Sequence, residues 1–304
     1  MTGLSRRTFI AGAGACILSG VQAGRAFAFS KMQVGDGELT VVSDGGLMQP
    51  LKATYPGVDE GELKALLAAN SLPIDMLKPD CNVTFLKRGD RLIAFDAGAG
   101  ANFMASAGKL AANMAEAGID PAAVTDVIFT HAHPDHLWGI QDEFDELLFA
   151  NAAYRISQAE WDFWSSPDAM NNVPEERKAF VAGAQNRFGL IKERISFFKP
   201  GDEVAPGVEA VDTNGHTAGH VSFMVHGGEG AMIVGDAIAS QFISLEKPDW
   251  PTASDHDPEA GIKTRLKLLD RLVSDKSRVI GYHFVHPGAG RIERKDLAFR
   301  LAAD

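Results

Sequence analysis

Asp126-Val-Ile-Phe-Thr130, a short apolar run, passes without a break into His131-Ala-His-Pro-Asp-His136. The run reads as a buried strand from Asp126 to Thr130, because it is rich in β-branched and aromatic residues and too short for a helix. Three of the chain's nine histidines and one aspartate then fall within six residues at its end. Residues two apart at a strand end point the same way, so His131 and His133 can reach one metal ion while Asp135 and His136 turn toward a neighbouring one. Imidazole suits zinc, iron and similar ions, and carboxylate adds charge that holds a second cation nearby. A surface histidine-rich loop with incidental metal affinity is the alternative for the hexamer taken alone.

Three further segments point to a built site. His216 lies in NGHTAGHVS after a predicted strand Val208–Val211, Asp236 in IVGDAI after Ala231–Val234, and His283 in GYHFVHPG after Arg278–Gly281. Each sits where a strand gives way to a loop, which is where open α/β architectures place ligands. Strands are also predicted at Gly37–Gly45, Asn82–Leu86, Arg91–Phe95, Ala153–Ile156 and Val221–Val225. Helices are predicted at Phe103–Ala117, Gln158–Trp164, Glu175–Leu190 and after Asp257-Pro258, the last with Ile262, Leu266, Leu269 and Leu272 inward. Asp59 and Glu62 read as a cap and its reciprocal partner for a short helix carrying Leu63, Leu66 and Leu67, placed over the site or at a homodimer contact. Strands interleaved with helices and no Pro-, Ser- or Gly-rich linker give a single α/β domain over residues 29–304.

The 304 residues are 45% hydrophobic and 23% charged, an ordinary globular composition. Net charge is −11, and loss of Arg6, Arg7 and Arg25 with the leader takes it to −14. That sign excludes nucleic acid and anionic membranes as partners. Residues 1–28 read as an export leader: Arg6-Arg7, a weakly apolar stretch from Phe9 to Ala23, and Ala26-Phe27-Ala28 as a small-x-small site. SRRTFI resembles the twin-arginine signal, although Ala11 stands where Lys is common, and this places the mature chain in the periplasm or outside the cell. The stretch is too short and Gly-rich for a stable membrane anchor. Cys16 departs with the leader, so Cys81 has no disulfide partner and reads as core packing.

HAHPDH, GHTAGH, the VGDA aspartate and the terminal GYH together resemble the metallo-β-lactamase superfamily, from about Asp96 to Gly290. The resemblance implies a four-layer αββα sandwich with two divalent metal ions at one edge, zinc first and iron, manganese or cobalt as alternatives. It implies that His131, His133 and His216 hold one metal, Asp135, His136 and His283 the other, and that Asp236 bridges them. Asp96, in FDAG, would fix a ligating imidazole by accepting its second N–H. Two cations sharing Asp236 would hold a bridging hydroxide, since metal binding lowers the pKa of water toward about 7, and Asp135 is a candidate to protonate the leaving group. His220 is expected to support a ligand or pack, His226 to be solvated, His256 to be a loop residue or sit near the pocket, and His286, standing where an aromatic is common, leaves open a substrate contact.

GDGELTVVSDG, EWDFW (Glu160–Trp164) and HFVHPGAG look most like methyl parathion hydrolase-like exported enzymes, which implies small neutral esters or phosphotriesters as substrates. Acyl homoserine lactonases are the second reading, and a lactone the corresponding substrate. Trp138, Phe242, Trp250 and Phe284 are the candidate pocket aromatics, with Trp138 standing where Gly is common. No basic residue is identifiable for a substrate carboxylate, so β-lactams are expected to be poor substrates. A periplasmic metal-binding protein without turnover would use the same ligands, and a diiron redox enzyme would need a flavin partner domain that the sequence lacks.

Overall fold

The computed structural model describes residues 28–303. The leader expected over residues 1–28 lies outside the described residues apart from Ala28. In chain order the elements are β1 (Phe29–Val34), β2 (Gly37–Gly46), β3 (Gln49–Pro50), α1 (Leu51–Thr54), α2 (Glu60–Ala69), β4 (Met76–Leu77), β5 (Asp80–Arg88), β6 (Arg91–Phe95), α3 (Leu110–Ala117), β7 (Asp126–Ile128), α4 (Pro134–Leu137), β8 (Ala153–Ser157), α5 (Gln158–Ser165), α6 (Lys178–Ile191) and β9 (Ile195–Phe198). Then come β10 (Glu203–Ala205), β11 (Val208–Asp212), β12 (Val221–Val225), β13 (Ala231–Ile233), α7 (Ile243–Glu246), α8 (Pro258–Asp275), β14 (Arg278–Ile280), β15 (Ala289–Lys295) and β16 (Ala298–Ala302).

Two seven-stranded sheets result, one ordered β1-β2-β5-β6-β7-β8-β9 and the other β10 through β16 in sequence order. Period-two alternation explains the layers, because successive side chains of a strand leave opposite faces. In β6 and β7, Ile93, Phe95 and Ile128 face the second sheet, where they meet Val221, Phe223, Ile233 and Ile280. Their neighbours Ala94, Val127 and Phe129 face α3, α5 and α6, against Leu110, Met114, Trp164, Val181 and Ile191. On the far side Met232 and Val279 meet Leu268, Leu269 and Leu272 of α8. Helix, sheet, sheet, helix is the implied αββα order, and strands buried on both faces account for their continuous apolar runs. A fourth cluster of Leu51, Tyr55, Leu63, Leu66, Leu67 and Ile243 joins α1, α2 and α7 beside the site.

Several sequence expectations shift. The helix read from Phe103 begins only at Leu110: Gly108 takes φ +74°, and a Cβ there would stand 2.3 Å from the Gly100 carbonyl oxygen. A left-handed residue ends helical propagation, and small, apolar residues upstream of it cannot overrule that. On α8, Leu266 is exposed and Arg265 is buried instead, because Arg265 has a buried carboxylate, Asp255, to meet. Unforeseen strands β1, β9, β10 and β16 are the four sheet edges, and β15 lies beside one of them. Edge strands are short or carry charge, as Lys31 of β1 and Arg300 of β16 do here, so their alternation is weak.

Candidate functional site

Every residue singled out as a metal ligand is buried at the same end of the two sheets. The loop after β7 carries His131, His133, Asp135 and His136; the β11–β12 loop carries His216; the turns after β13 and β14 carry Asp236 and His283. The fold brings distant segments together here: His216 Nε2 lies 2.9 Å from His133 Nδ1, and His131 Nε2, from the same loop as His133, lies 3.0 Å from the same atom. Asp236 Oδ2 is 3.3 Å from His216 Nε2 and 3.2 Å from His283 Nε2, while its Oδ1 is 3.2 Å from His136 Nε2. Asp135 Oδ2 is 3.2 Å from His283 Nε2 and 3.5 Å from His136 Nε2. The donors therefore fall into two sets, His131, His133, His216 with Asp236, and His136, His283 with Asp236, with Asp135 beside His283.

The donor chemistry fits divalent cations. His136 Nε2, Asp135 Oδ2 and Asp236 Oδ1 are fully buried yet make no hydrogen bond; buried polar atoms normally have a partner, and lone pairs converging on a common point are the exception a metal explains. Burial and neighbouring imidazoles hold His131 and His133 well below the usual histidine range, which leaves them in the neutral, ligating form. Against burial, the carboxylates of Asp236, Asp135 and Asp96 raise His136 to about 10. That concentration of negative charge calls for a positive one, which a proton or a cation supplies. Cys81 also lies within ligand distance of Asp135 and His283, but burial pushes its thiol up to about 12, consistent with the core role read from sequence.

Around these donors, hydrogen bonds fix each ring. Asp96 Oδ2 accepts from His136 Nδ1 at 2.8 Å and its Oδ1 from the Thr130 amide at 2.7 Å, which is the expected role for FDAG. His283 Nδ1 donates to the Asp80 carbonyl at 2.8 Å. His220 accepts the Asp236 amide at 3.0 Å and meets Thr213 Oγ1 at 2.9 Å, and burial lowers it to about 3. It thus positions the shared aspartate through the backbone. His226 is exposed, 3.1 Å from Glu209.

Two acids that support the site were not foreseen. Asp255 accepts from His216 Nδ1 at 2.9 Å and from Arg265 at 3.2 Å. Glu160 is fully buried and accepts four hydrogen bonds: from the amides of Ala132 and Gly219, the Thr217 hydroxyl and the Trp164 indole, at 2.6 to 2.9 Å. It thereby ties the HAHPDH loop to the GHTAGH loop. The available signal was its place in EWDFW, a motif noted for resemblance and given no task.

Beside the donors opens a cavity of about 200 Å³. Of the four aromatics expected to line it, Phe242 does. Trp138 stands behind Phe103, ring centroids 5.5 Å apart, with Arg187 over its face. Trp250 packs with the α1–α2 cluster, and Phe284 is in the core under α8. The wall is instead largely aliphatic: Leu47, Leu67, Leu72, Met76 and Leu77, with Tyr55, Phe103 and Phe180. His256 packs against His133 and Trp164, and His286 Nδ1 meets Asn82 Oδ1 at 2.7 Å. The expectation that no basic residue serves the pocket is overturned, since Arg177 and Lys78 both line it. Neither has a motif to betray it; α6 and the loops around it fold Arg177 toward His133 from 44 residues away in sequence.

Comparison with known proteins agrees with this architecture. The Metallo-beta-lactamase superfamily profile matches residues 78–283. Metallo-beta-lactamase domain-containing protein 1 of Xenopus laevis is 26% identical over 224 residues, 72% of this chain and 80% of its own. Among solved structures, AidC, a dizinc quorum-quenching lactonase in complex with a product, superposes with TM-score 0.85 at 28% identity, covering 91% of this chain and 97% of AidC. The hydrolase AbOPH gives TM-score 0.85 at 25% identity, with 91% and 97% covered. The chain belongs to the metallo-beta-lactamase superfamily and has the fold of its metal-dependent hydrolases.

Proposed function

We propose that this chain is a dizinc hydrolase of small lactones or esters with an apolar acyl portion. One observation carries the reading: two sets of buried donors sharing Asp236 open directly onto an aliphatic-walled cavity. In it His131, His133 and His216 hold one cation and Asp135, His136 and His283 the other, with Asp236 common to both. Bound there, the two cations supply Lewis acidity for a carbonyl oxygen and acidify a water molecule. The protein's part is to keep His131 and His133 neutral by burial, fix the ligand rings through Asp96, Asp255 and the Asp80 carbonyl, and shed water from the acyl chain on the leucine and methionine wall. In this reading Asp135, which lines the cavity, takes up the proton that the attacking water gives up and delivers it to the leaving oxygen.

Lactones rank first because the aliphatic wall suits an acyl chain and because AidC, similar over 91% of this chain, is a lactonase. Aryl esters and activated phosphotriesters are the second reading. A panel of an N-acyl homoserine lactone, nitrophenyl acetate, a phosphotriester and a cephalosporin separates them. The lactone is expected to give the highest kcat/KM; a phosphotriester ahead of it by tenfold or more would favour the second reading, and no turnover of any member with both metals bound would remove the hydrolase proposal.

Export by the twin-arginine route belongs to the same proposal, since that route carries folded, metal-loaded proteins. Replacing Arg6 and Arg7 by Lys is expected to leave uncleaved precursor in the cytoplasm, read by fractionation and mass. Unchanged export would indicate the general secretory route.

A further inference from the structure

Arg177 has no task in the reaction as described. It is the last residue of the 3₁₀ turn Glu175–Arg177 that leads into α6, is partly buried, and lines the cavity together with His133, His216 and Asp236. Its guanidinium donates to the Ala253 carbonyl, and among the described residues no ion pair holds it. Of the two acids whose charge acts on it, Glu176 is its exposed chain neighbour and Asp255 is already engaged by Arg265 and His216. Removal of a guanidinium from water costs free energy unless its five donors find acceptors, so an arginine left with one carbonyl at a cavity wall has unused capacity for a ligand.

The surroundings add to the same sign. Lys78 also lines the cavity, and with two divalent cations bound the positive charges there would outweigh Asp80, Asp135 and Asp236, the carboxylates of the wall. A pocket with this bias inside a chain of net charge −11 is not a consequence of overall composition. Arginine's planar fork matches a carboxylate bidentately and an amide carbonyl less strongly.

We propose that Arg177 is a specificity-determining residue that selects substrates carrying a second acceptor oxygen, a carboxylate best, besides the scissile carbonyl. This rests on the hydrolase reading above and names the chemistry of the substrate it takes. It replaces the purely apolar pocket with one that has an aliphatic wall and one cationic anchor.

The test compares two nitrophenyl esters of equal chain length, the monoester of glutarate and the pentanoate, on the metal-loaded enzyme. The wild type is expected to favour the glutarate monoester about tenfold in kcat/KM, through KM, equivalent to about 1.4 kcal/mol. Arg177→Gln should abolish that ratio and Arg177→Lys should keep part of it, with metal content and melting temperature recorded for each variant. A parallel titration measures glutarate binding by calorimetry, so that failure of the hydrolase reading is told apart: no turnover of either ester but glutarate binding weakened tenfold in Arg177→Gln would sustain the anchor alone. Equal use of both esters by the wild type, or an undiminished ratio in a folded, metal-loaded Arg177→Gln, would overturn the proposal.

Discussion

Asp236→Asn and His133→Ala are each expected to lower ester turnover on the order of 10³-fold or more, and the double variant to lose little beyond the worse single one. The shared aspartate touches both donor sets: its two carboxylate oxygens lie within 3.2 to 3.3 Å of His136, His216 and His283. An asparagine there keeps the shape but removes one charge and turns an N–H₂ toward the lone pairs it used to join. His133 contributes the Nδ1 on which His131 and His216 converge. Because the ligands act as a unit, losing one leaves the others without purpose, which is why the losses should not add. The three apolar cores lie elsewhere, between and outside the sheets, so far-ultraviolet circular dichroism should be unchanged. Both variants retaining wild-type turnover would place the chemistry somewhere else.

Glu160→Ala should be the most damaging change outside the ligands. The carboxylate satisfies four donors inside the protein, and each donor left without an acceptor costs about 1–3 kcal/mol. Relaxation softens the total, so a loss of at least about 3 kcal/mol is expected, seen as a clear drop in melting temperature. Metal affinity should fall as well, about 10–100-fold, because the loops bearing His131, His133 and His216 are joined through this side chain. Glu160→Gln, which can still accept from two donors with its carbonyl oxygen and offer its amide to Thr217, should fall between. A melting temperature and zinc affinity equal to wild type in Glu160→Ala would show that the bridge contributes nothing.

The clustered donors were legible because chemistry concentrated them. Three histidines in one hexamer, and single histidines or aspartates where strands end, are patterns that local sequence displays, and Asp96 followed from its motif. Glu160 and Asp255 were not legible, because a carboxylate that holds the Ala132 amide 28 residues away or the His216 ring 39 residues away has the same local sequence as one that faces water. Arg177 escaped for a related reason: a cavity wall is assembled from separate loops, and sequence order says little about which side chains they turn inward. Large aromatics misled in the opposite direction, since Trp138 and Phe284 are apolar enough to serve pocket or core equally, and both went to the interior. The central strands were read nearly to the residue, being buried on both faces, whereas edges such as β1 and β16 alternate too weakly to announce themselves.

Metal stoichiometry tests the central claim most directly. Mature protein purified without added metal, stripped, reloaded with zinc and analysed by elemental mass spectrometry should hold two equivalents per chain, and Asp236→Asn no more than one. A wild type that retains fewer than two tightly held ions, or an Asp236→Asn variant that keeps both, would contradict a two-metal site built around that aspartate.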